Sequence, residues 1–379
     1  MADSLMVLDG TVRSRGPEET WALLEPWLER CGISRVADLT GLDSLGVPVW
    51  TAIRPGALTL TASQGKGATP RLAAISAVME SIELWHAEQP LQVDQVAPAR
   101  ALELPYPLLS LPVREPHPGL VDVPLEWTTG LGMVSGRRIP VPVGLVQRFL
   151  PTMWRPAVFR ATSTGLACGN SPEEAVLHGL YEVVERHSLH LDEQMGGELR
   201  TVVDPDSVEA PYAAELIERV RAAGVVLELL VVENPYGLPV CLAYLWSEDF
   251  PLWFAGSGCH HDPHIALTRA ITEAAQSRLT CIAGTRDDLP SEEETFAAEQ
   301  ALPPAVGGPS GAGWETLFAD IDGAGGALRG RAEGAVRLVE AVTGYEPILV
   351  TLSEPRAAFT AVKVIAPGAT SRTRRAIPR

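Results

Sequence analysis

Five glutamates of the chain fall at matched distances from a proline, a spacing that could build a site for divalent cations. The sequence holds three similar stretches, which we align on Pro70, Pro172 and Pro263. Glutamate stands ten residues after each proline, and glutamate or glutamine stands thirteen residues after it. The residues at these two positions are Glu80, Glu83, Glu182, Glu185, Glu273 and Gln276. Carboxylate oxygens, together with substrate phosphates, are the ligands that Mg²⁺ prefers.

A third matched position carries side chains that suit phosphate. Six residues after the prolines stand Ser76, His178 and Arg269. Arg186 follows Glu185, and an arginine binds phosphate through two parallel hydrogen bonds. Carboxylates gathered in one cavity would repel one another strongly unless cations lay among them. We therefore expect the acids to hold metal ions and the arginines to contact phosphate oxygens.

The aligned stretches are predicted to be three helices that follow glycine-rich turns. Proline suits the first helical turn, and Ser171 and Asp262 are predicted to cap two of the helices. Positions six, ten and thirteen share one helix face, whereas apolar residues at positions four and eight face the core. Small residues at positions three and seven would let another helix or a ligand come close. A solvated acidic face is the commoner fate of such a stripe, but the same register in three helices favours a shared site.

Two residues at the start of the second helix have competing interpretations. Ser171 and Glu174 form the S-x-x-E pattern of a capping box, so Glu174 either closes the helix start or binds a metal. Asn170 suits a turn, because asparagine tolerates a left-handed backbone.

Bulk properties exclude several functional classes. The chain has 379 residues and a formal net charge of −17, so no general basic field is available for nucleic acid. No apolar run approaches the roughly 20 residues that a membrane span needs. The stretch SQGKGATP lacks the G-x-x-x-x-G-K-[ST] pattern of a phosphate loop. Five cysteines without C-x-x-C, and a start without a signal peptide, indicate a reducing cytoplasm.

Hydrophobic periodicity predicts the remaining elements. Helices are expected at 17–31 and near 327–343. Strands are expected at 47–53, 58–62, 252–258, 347–353 and 359–366, with a hairpin over 225–246. Residues 90–125 are expected to be irregular, 302–313 to be a linker, and 369–379 to be a basic tail.

The stretches SQGKG…SAVMESIE, STGLACGNSPEEAVLHGLYEVVER and RAITEAAQSR resemble the motifs of the YcaO family. The resemblance covers about residues 35–300 and the segment VKVIAPG near the end. It implies an α/β fold, mixed α+β, in which pseudo-threefold turn–helix repeats pack on mostly antiparallel sheets. It also implies an N-terminal helix region, 1–34, followed by a catalytic domain, 35–379.

The resemblance implies a reaction and a set of site residues. YcaO proteins use Mg·ATP without a phosphate loop and phosphorylate a peptide backbone amide oxygen after a nucleophile has attacked the carbonyl. Loss of phosphate then leaves an azoline, a thioamide or an amidine. Catalysis is assigned to Arg186, Arg269 and Gln276. These three are also assigned to the nucleotide, together with Arg13, Thr20, Ser76, Asn170 and Glu174. Metal binding is assigned to Glu80, Glu83, Glu174, Glu182, Glu185 and Glu273.

One segment resembles a particular branch of the family. VADLTGLDSLGVPVWTAIRP looks like the standalone members that are paired with a TfuA protein and linked to thioamide formation. This implies a peptide or protein substrate and a TfuA-like partner, and the family also implies a homodimer. With 34 residues before the catalytic domain, a separate protein would have to bind a leader peptide. The family usually has Asn at Thr164, Asp at His187, and, in azoline formers, a proline-rich tail, of which AIPR remains.

Two other readings are open. The first is a zinc enzyme, because four residues of metal-binding types lie within six positions, although Asp262-Pro263 explains that stretch as a helix start. These residues are Cys259, His260, His261 and His264. The second is a scaffold that activates a partner without catalysis. Cys168 and Cys259 occupy one offset in two of the repeats, where the first has Lys66, and are either sulfur carriers or buried packing residues.

Overall fold

The computed structural model describes residues 5–148, 158–284, 311–319, 326–355 and 357–371. Its helices are α1 (Pro17–Arg30), α2 (Pro70–Glu88), α3 (Val143–Val146), α4 (Pro172–Gln194), α5 (Pro211–Ala222), α6 (Pro263–Ala283), α7 (Trp314–Leu317) and α8 (Leu328–Thr343). The predicted linker, up to residue 310, and the tail from 372 lie outside the described residues. Within these ranges, no helix combines the length and apolar character needed to cross a membrane.

The strands form three sheets and an N-terminal hairpin. They are β1 (Met6–Leu8), β2 (Thr11–Arg13), β3 (Arg35–Asp38), β4 (Val49–Ile53), β5 (Ala62–Lys66), β6 (Gln95–Pro98), β7 (Pro124–Gly132), β8 (Arg138–Pro142), β9 (Leu166–Gly169), β10 (Arg200–Val203), β11 (Val226–Val232), β12 (Val240–Trp246), β13 (Phe254–Cys259), β14 (Ile348–Thr351) and β15 (Thr360–Ile365).

The sheet topology confirms the predicted fold class. β3, β4 and β5 form one sheet, and β10 to β13 form a second in sequence order. The largest sheet has the order β6-β7-β14-β15-β9, with β8 also paired to β7. The pairs within these sheets are antiparallel. The chain therefore has the expected mixed α/β architecture on antiparallel sheets.

Three strand–turn–helix units carry the aligned stretches: unit 1 is β5 and α2, unit 2 is β9 and α4, and unit 3 is β13 and α6. All three helices begin at the aligned proline, as predicted. Side-chain oxygens of Ser171 and Asp262 accept first-turn N–H groups, and Thr69 is a third cap, which was not predicted.

The helix positions expected to face the core are buried. Val78, Leu180 and Ile271, at position eight, have no exposed surface. Burying such a side chain contributes about 1.5–3 kcal/mol. The small residues at positions three and seven let the strand of their own unit pack closely on the helix. At Gly65 of β5 the approach is so close that an added Cβ would lie 2.0 Å from the backbone N of Ala77. Each strand therefore lies directly on its helix, which fixes the polar face of that helix.

The predicted strand at 58–62 is wrong. β5 covers Ala62–Lys66 and pairs with β4 in the register Val49↔Lys66. The alternating LTLTA pattern belongs to the connection before it, where Arg54 N–H donates to Thr61 O at 2.8 Å. Close packing of Gly65 on α2 selects the less apolar segment as the strand. The other predicted helices and strands are confirmed with ends shifted by a few residues.

Candidate active site

One cavity of about 780 Å³ brings the predicted site residues together. Its lining includes Arg13, Thr20, Ser76, Glu80, Glu83, Asn170, Glu174, Glu182, Glu185, Arg186, Arg269, Glu273 and Gln276. All three units and the N-terminal segment before α1 contribute to it. The volume lies within the range of natural small-molecule sites.

The glutamates at position ten each lie against the strand side of their own unit, and two of them accept a backbone N–H from it. Gln64 N–H donates to Glu80 at 3.2 Å, and Gly165 N–H, just before β9, donates to Glu182 at 3.0 Å. In unit 3 the Ser257 hydroxyl lies 3.4 Å from Glu273. Backbone N–H groups thus hold Glu80 and Glu182, whereas Glu273 is held mainly by its ion pair with Lys66.

The residues at position thirteen each bond to the strand of the next unit. Cys168 N–H of unit 2 donates to Glu83 of unit 1 at 2.7 Å. The Ser257 hydroxyl of unit 3 donates to Glu185 of unit 2 at 2.7 Å. Gln276 Nε2 of unit 3 donates to the Gln64 carbonyl oxygen of unit 1 at 3.0 Å. These contacts close a ring of three units around the cavity and show why glutamine stands at 276: its partner is an acceptor.

Gln276→Glu is expected to destabilise the fold by about 1–3 kcal/mol at pH 7, because a carboxylate would face the Gln64 carbonyl without a donor. The deficit should shrink as the pH falls below about 5, where the introduced carboxyl binds a proton and can donate. The pKa of the introduced carboxyl is expected to be raised in the folded state, so the variant loses stability as the pH rises through that pKa. Urea unfolding at pH 4.5 and 7.5 measures both effects. Glu83→Gln, which keeps an acceptor for Cys168 N–H, is the matched control; an equal loss in both variants would contradict the ring.

The carboxylates between units 1 and 2 repel one another. Burial, together with Glu80 and Glu182, raises the pKa of Glu83 well above its ordinary value. Burial and Glu185 raise the pKa of Glu182 to about 7, against the opposing effect of Arg186. Without a further cation nearby, ionisation of Glu83 and Glu182 is therefore unfavourable.

The basic residues lie among the same carboxylates. Arg186 Nε lies 3.8 Å from both Glu182 and Glu185, and these acids and Glu273 raise its pKa despite burial. The Arg269 Nε–H is buried and has no hydrogen-bond partner within the described residues. A buried donor of this kind is left for a ligand to satisfy.

Lys66 is a site residue that the sequence analysis did not select. Its Nζ lies 2.7 Å from Glu273 Oε2, across the contact between units 1 and 3. Burial would raise the pKa of Glu273, but Lys66 and Arg186 outweigh it and hold this pKa at about 2. Glu273 therefore stays ionised.

The N-terminal segment closes the cavity over Glu174. The carboxylate accepts from Arg13 Nη1 at 3.2 Å and from the Ser14 N–H and hydroxyl at 3.0 and 2.9 Å. Asn170 accepts from the Thr20 hydroxyl at 3.0 Å and so joins α1 to unit 2. Ser171 still caps the helix, but the Glu174 carboxylate is held by the N-terminal segment. Ser14 was missed because nothing in its local sequence marks a contact 160 residues away.

Lys363 holds the segment that precedes β9. Its Nζ donates to the carbonyl oxygens of Thr162 at 2.6 Å and Thr164 at 2.8 Å, just before the Gly165 N–H that holds Glu182. Burial lowers the pKa of Lys363 to about 8, while Glu182 acts in the opposite direction. Thr164 thus contributes its backbone, which lessens the importance of its departure from asparagine.

The residues fit magnesium that arrives with a nucleotide. Within the described ranges, no three His, Cys, Asp or Glu side chains form a group that could hold a metal ion by themselves. Mg²⁺ in nucleotide sites typically takes one or two carboxylates together with waters and phosphate oxygens. Burial, together with nearby carboxylates, disfavours ionised Glu83 and Glu182, and a cation held by such carboxylates would favour their ionised forms.

Of the four residues proposed for zinc, the three histidines have other hydrogen-bond partners and Cys259 is buried. His260 accepts from Asp262 N–H at 2.9 Å, and His264 accepts from the Trp314 indole at 3.1 Å. His261 pairs with the Tyr181 hydroxyl at 2.6 Å. No zinc-binding group forms among these described side chains.

The cysteines have the properties of packing residues. Burial raises the pKa of Cys168 and Cys259 well above the ordinary value, which disfavours the nucleophilic thiolate. None of the five cysteines forms a disulfide bond. Although Cys168 lines the cavity, the raised pKa values of these two thiols do not favour a sulfur-carrier role.

Comparisons with known proteins bear on this site. A model of the YcaO cyclodehydratase family, described as ATP- and Mg²⁺-binding, matches residues 64–370. An uncharacterised protein of Mycobacterium tuberculosis is 40% identical over 370 residues, 95% of this chain and 82% of the relative. An uncharacterised protein in the tfuA 3′ region of Rhizobium leguminosarum bv. trifolii is 39% identical over 293 residues, 73% of this chain and 69% of the relative.

Solved structures share the fold. YcaO from Methanopyrus kandleri, bound with AMPPCP and Mg²⁺, matches with a TM-score of 0.74 and 23% identity over 97% of this chain and 95% of that one. The Escherichia coli microcin synthetase McbBCD complex with pro-MccB17 bound matches with a TM-score of 0.61 and 12% identity, covering 88% of this chain and 87% of that one.

Proposed function

The chain belongs to the YcaO family, and we propose that it uses ATP and Mg²⁺ to activate a backbone amide of a peptide by O-phosphorylation. The family is ATP- and Mg²⁺-binding, which agrees with the cofactors expected from the motifs. The observation that carries the proposal is the closed ring of three units, which directs their acidic and basic side chains into one cavity.

Each predicted residue has a role in this proposal. Mg²⁺, when bound, neutralises charge on the triphosphate and the transferred phosphoryl group. Its ligands come from the carboxylates at positions ten and thirteen and from Glu174. Arg186 and Arg269 donate to phosphate oxygens, where negative charge develops in the transition state. Ser76, Asn170, Arg13 and Thr20 orient the nucleotide, and Gln276 holds the strand of unit 1 in place.

The chemistry required of the protein is mainly positioning. An amide oxygen is a poor leaving group, and phosphorylation makes its departure easy. Proximity and charge stabilisation account for much of the rate gain in phosphoryl transfer, and a covalent protein nucleophile is not required. The raised thiol pKa values of Cys168 and Cys259 agree with a mechanism that uses neither cysteine.

We favour a thioamide as the product. The support is the 39% identical relative in the tfuA 3′ region, together with the resemblance of residues 36–55 to TfuA-associated members. A TfuA-like protein would then be the partner, and sulfide the sulfur source. The microcin synthetase match supports a multi-protein assembly that holds its peptide, because that complex is described with pro-MccB17 bound.

An azoline is the second candidate product, since the family model is described as a cyclodehydratase. The two outcomes differ in mass. With the TfuA-like partner, a precursor peptide, Mg·ATP and sulfide, we expect a peptide about 16 Da heavier and stoichiometric ADP. A peptide about 18 Da lighter would indicate ring closure or another dehydration. Unchanged peptide and no ATP hydrolysis would instead favour the non-catalytic scaffold.

A further inference from the structure

Lysine is scarce in this chain, and both lysines lie beside carboxylates of the candidate site. Of the 30 Lys and Arg residues, 28 are arginines and two are lysines, Lys66 and Lys363. Lys66 contacts Glu273, and Lys363 interacts electrostatically with Glu182. A chain that carries positive charge almost entirely on arginine thus has lysine only where it faces this cavity or its supporting loop.

The contact between units 3 and 1 differs in charge from the other two contacts of the ring. At position thirteen the other contacts carry Glu83 and Glu185, whereas this one carries the neutral Gln276. At the strand offset where units 2 and 3 have cysteine, unit 1 has Lys66. Both differences make the same contact more positive, and both side chains bond across it.

We infer that Lys66 binds an anionic phosphoryl oxygen of the ligand and supplies, between units 3 and 1, the positive charge that metal ions supply elsewhere in the ring. The inference rests on the proposed function, because it assumes a triphosphate in the cavity. An ammonium group is compact and has three donors, so Lys66 can bond to Glu273 and a phosphate oxygen together. Its Nζ is 2.7 Å from the carboxylate, and its side chain is 17% exposed, on the cavity wall.

His178 lies in the same cavity as several cations. This imidazole lines the cavity at position six of unit 2. After burial, the groups that lower its pKa are Arg269, Arg13 and Lys66, in that order, with a smaller effect of His260. Arg13, Lys66 and Arg269 also line the cavity, so an anion bound there meets positive charge from three parts of the chain.

Binding of tripolyphosphate in EDTA tests Lys66 without any metal or catalysis. Lys66→Met is expected to weaken binding about 10- to 100-fold, the range of a lost charge-assisted hydrogen bond, whereas Lys66→Arg, which keeps the charge, should lose far less. Arg71→Met, at a partly exposed arginine that pairs with Glu18, is the matched control. Calorimetric unfolding of each variant verifies the fold.

Amine-reactive labelling gives an independent reading, because the chain has only two lysines. We expect tripolyphosphate to protect Lys66, read by peptide mass, while Lys363, which is 5% exposed, reacts little in either state. The inference is wrong, and the nucleotide site stands, if the wild-type protein binds tripolyphosphate without protection of Lys66 and Lys66→Met binds it equally well. If the wild-type protein binds neither tripolyphosphate nor Mg·AMPPCP, both the proposed function and the inference are wrong.

Discussion

Replacing Arg186 with methionine is expected to weaken Mg·AMPPCP binding by about 100- to 1000-fold, because two parallel charge-assisted hydrogen bonds to phosphate are lost. Arg186 lies 3.8 Å from Glu182 and Glu185 and lines the same cavity as Arg269. In the proposed site its guanidinium donates to phosphate oxygens while it limits repulsion between the two acids. Fluorescence or calorimetric titration of purified protein measures the affinity.

A second titration separates this role from a purely structural one. Without nucleotide, Arg186→Met should bind Mn²⁺ at least as tightly as the wild-type protein, because a cation next to the proposed metal ligands has been removed. Nucleotide affinity would thus fall while affinity for the bare metal holds or rises. A parallel loss of both, or a nucleotide affinity within threefold of wild type, would argue against a phosphate contact.

Arg54→Met is expected to lower the free energy of unfolding by about 3–5 kcal/mol, the range for breaking a buried ion pair from one side. Arg54 and Glu88 are 3% and 5% exposed, and their side chains form two hydrogen bonds, one of them 2.8 Å long. The Thr59 N–H and hydroxyl also donate to Glu88, at 2.9 and 2.6 Å. Without Arg54, a buried carboxylate would keep only the threonine donors.

The pH dependence of this pair has a definite sign. Burial raises the pKa of Glu88, but Arg54 and Thr59 outweigh it and hold the pKa below its ordinary value. The contribution of the pair is therefore full above the ordinary value of about 4.3 and is lost as the pH falls through the folded pKa. Chemical denaturation from pH 3 to 7 should show the wild-type and Arg54→Met curves converging at the acid end. A double replacement of both residues by methionine should cost less than the single one; if it costs more, the pair is not the cause.

The sequence predicted the three units well because their signals are local. Proline at the helix start, small residues facing the strand, and acids on one face repeat with the period of an α-helix. The same periodicity placed Val78, Leu180 and Ile271 in the core, where the structure has them. A capping threonine was overlooked at Thr69, although its residue type was a sufficient signal.

What the sequence did not predict depends on contacts between distant parts of the chain. β5 was misplaced because Gly65, not an apolar pattern, decides which segment lies on α2. The Lys66–Glu273 pair joins residues 207 positions apart, and no local pattern indicates it. Gln276 looked like an imperfect copy of a glutamate until its partner, the Gln64 carbonyl, was known. Domain boundaries at residue 35, and the roles assigned to the site residues, stay predictions.

Diffraction from crystals grown with AMPPCP and Mn²⁺, recorded at the manganese absorption edge, tests the account most directly. We predict anomalous peaks inside the cavity of about 780 Å³. Each peak should mark a Mn²⁺ ion that is bound both by nucleotide phosphates and by carboxylates of units 1, 2 or 3. Nucleotide bound elsewhere, or peaks with no ligand among Glu80, Glu83, Glu174, Glu182, Glu185 and Glu273, would contradict it.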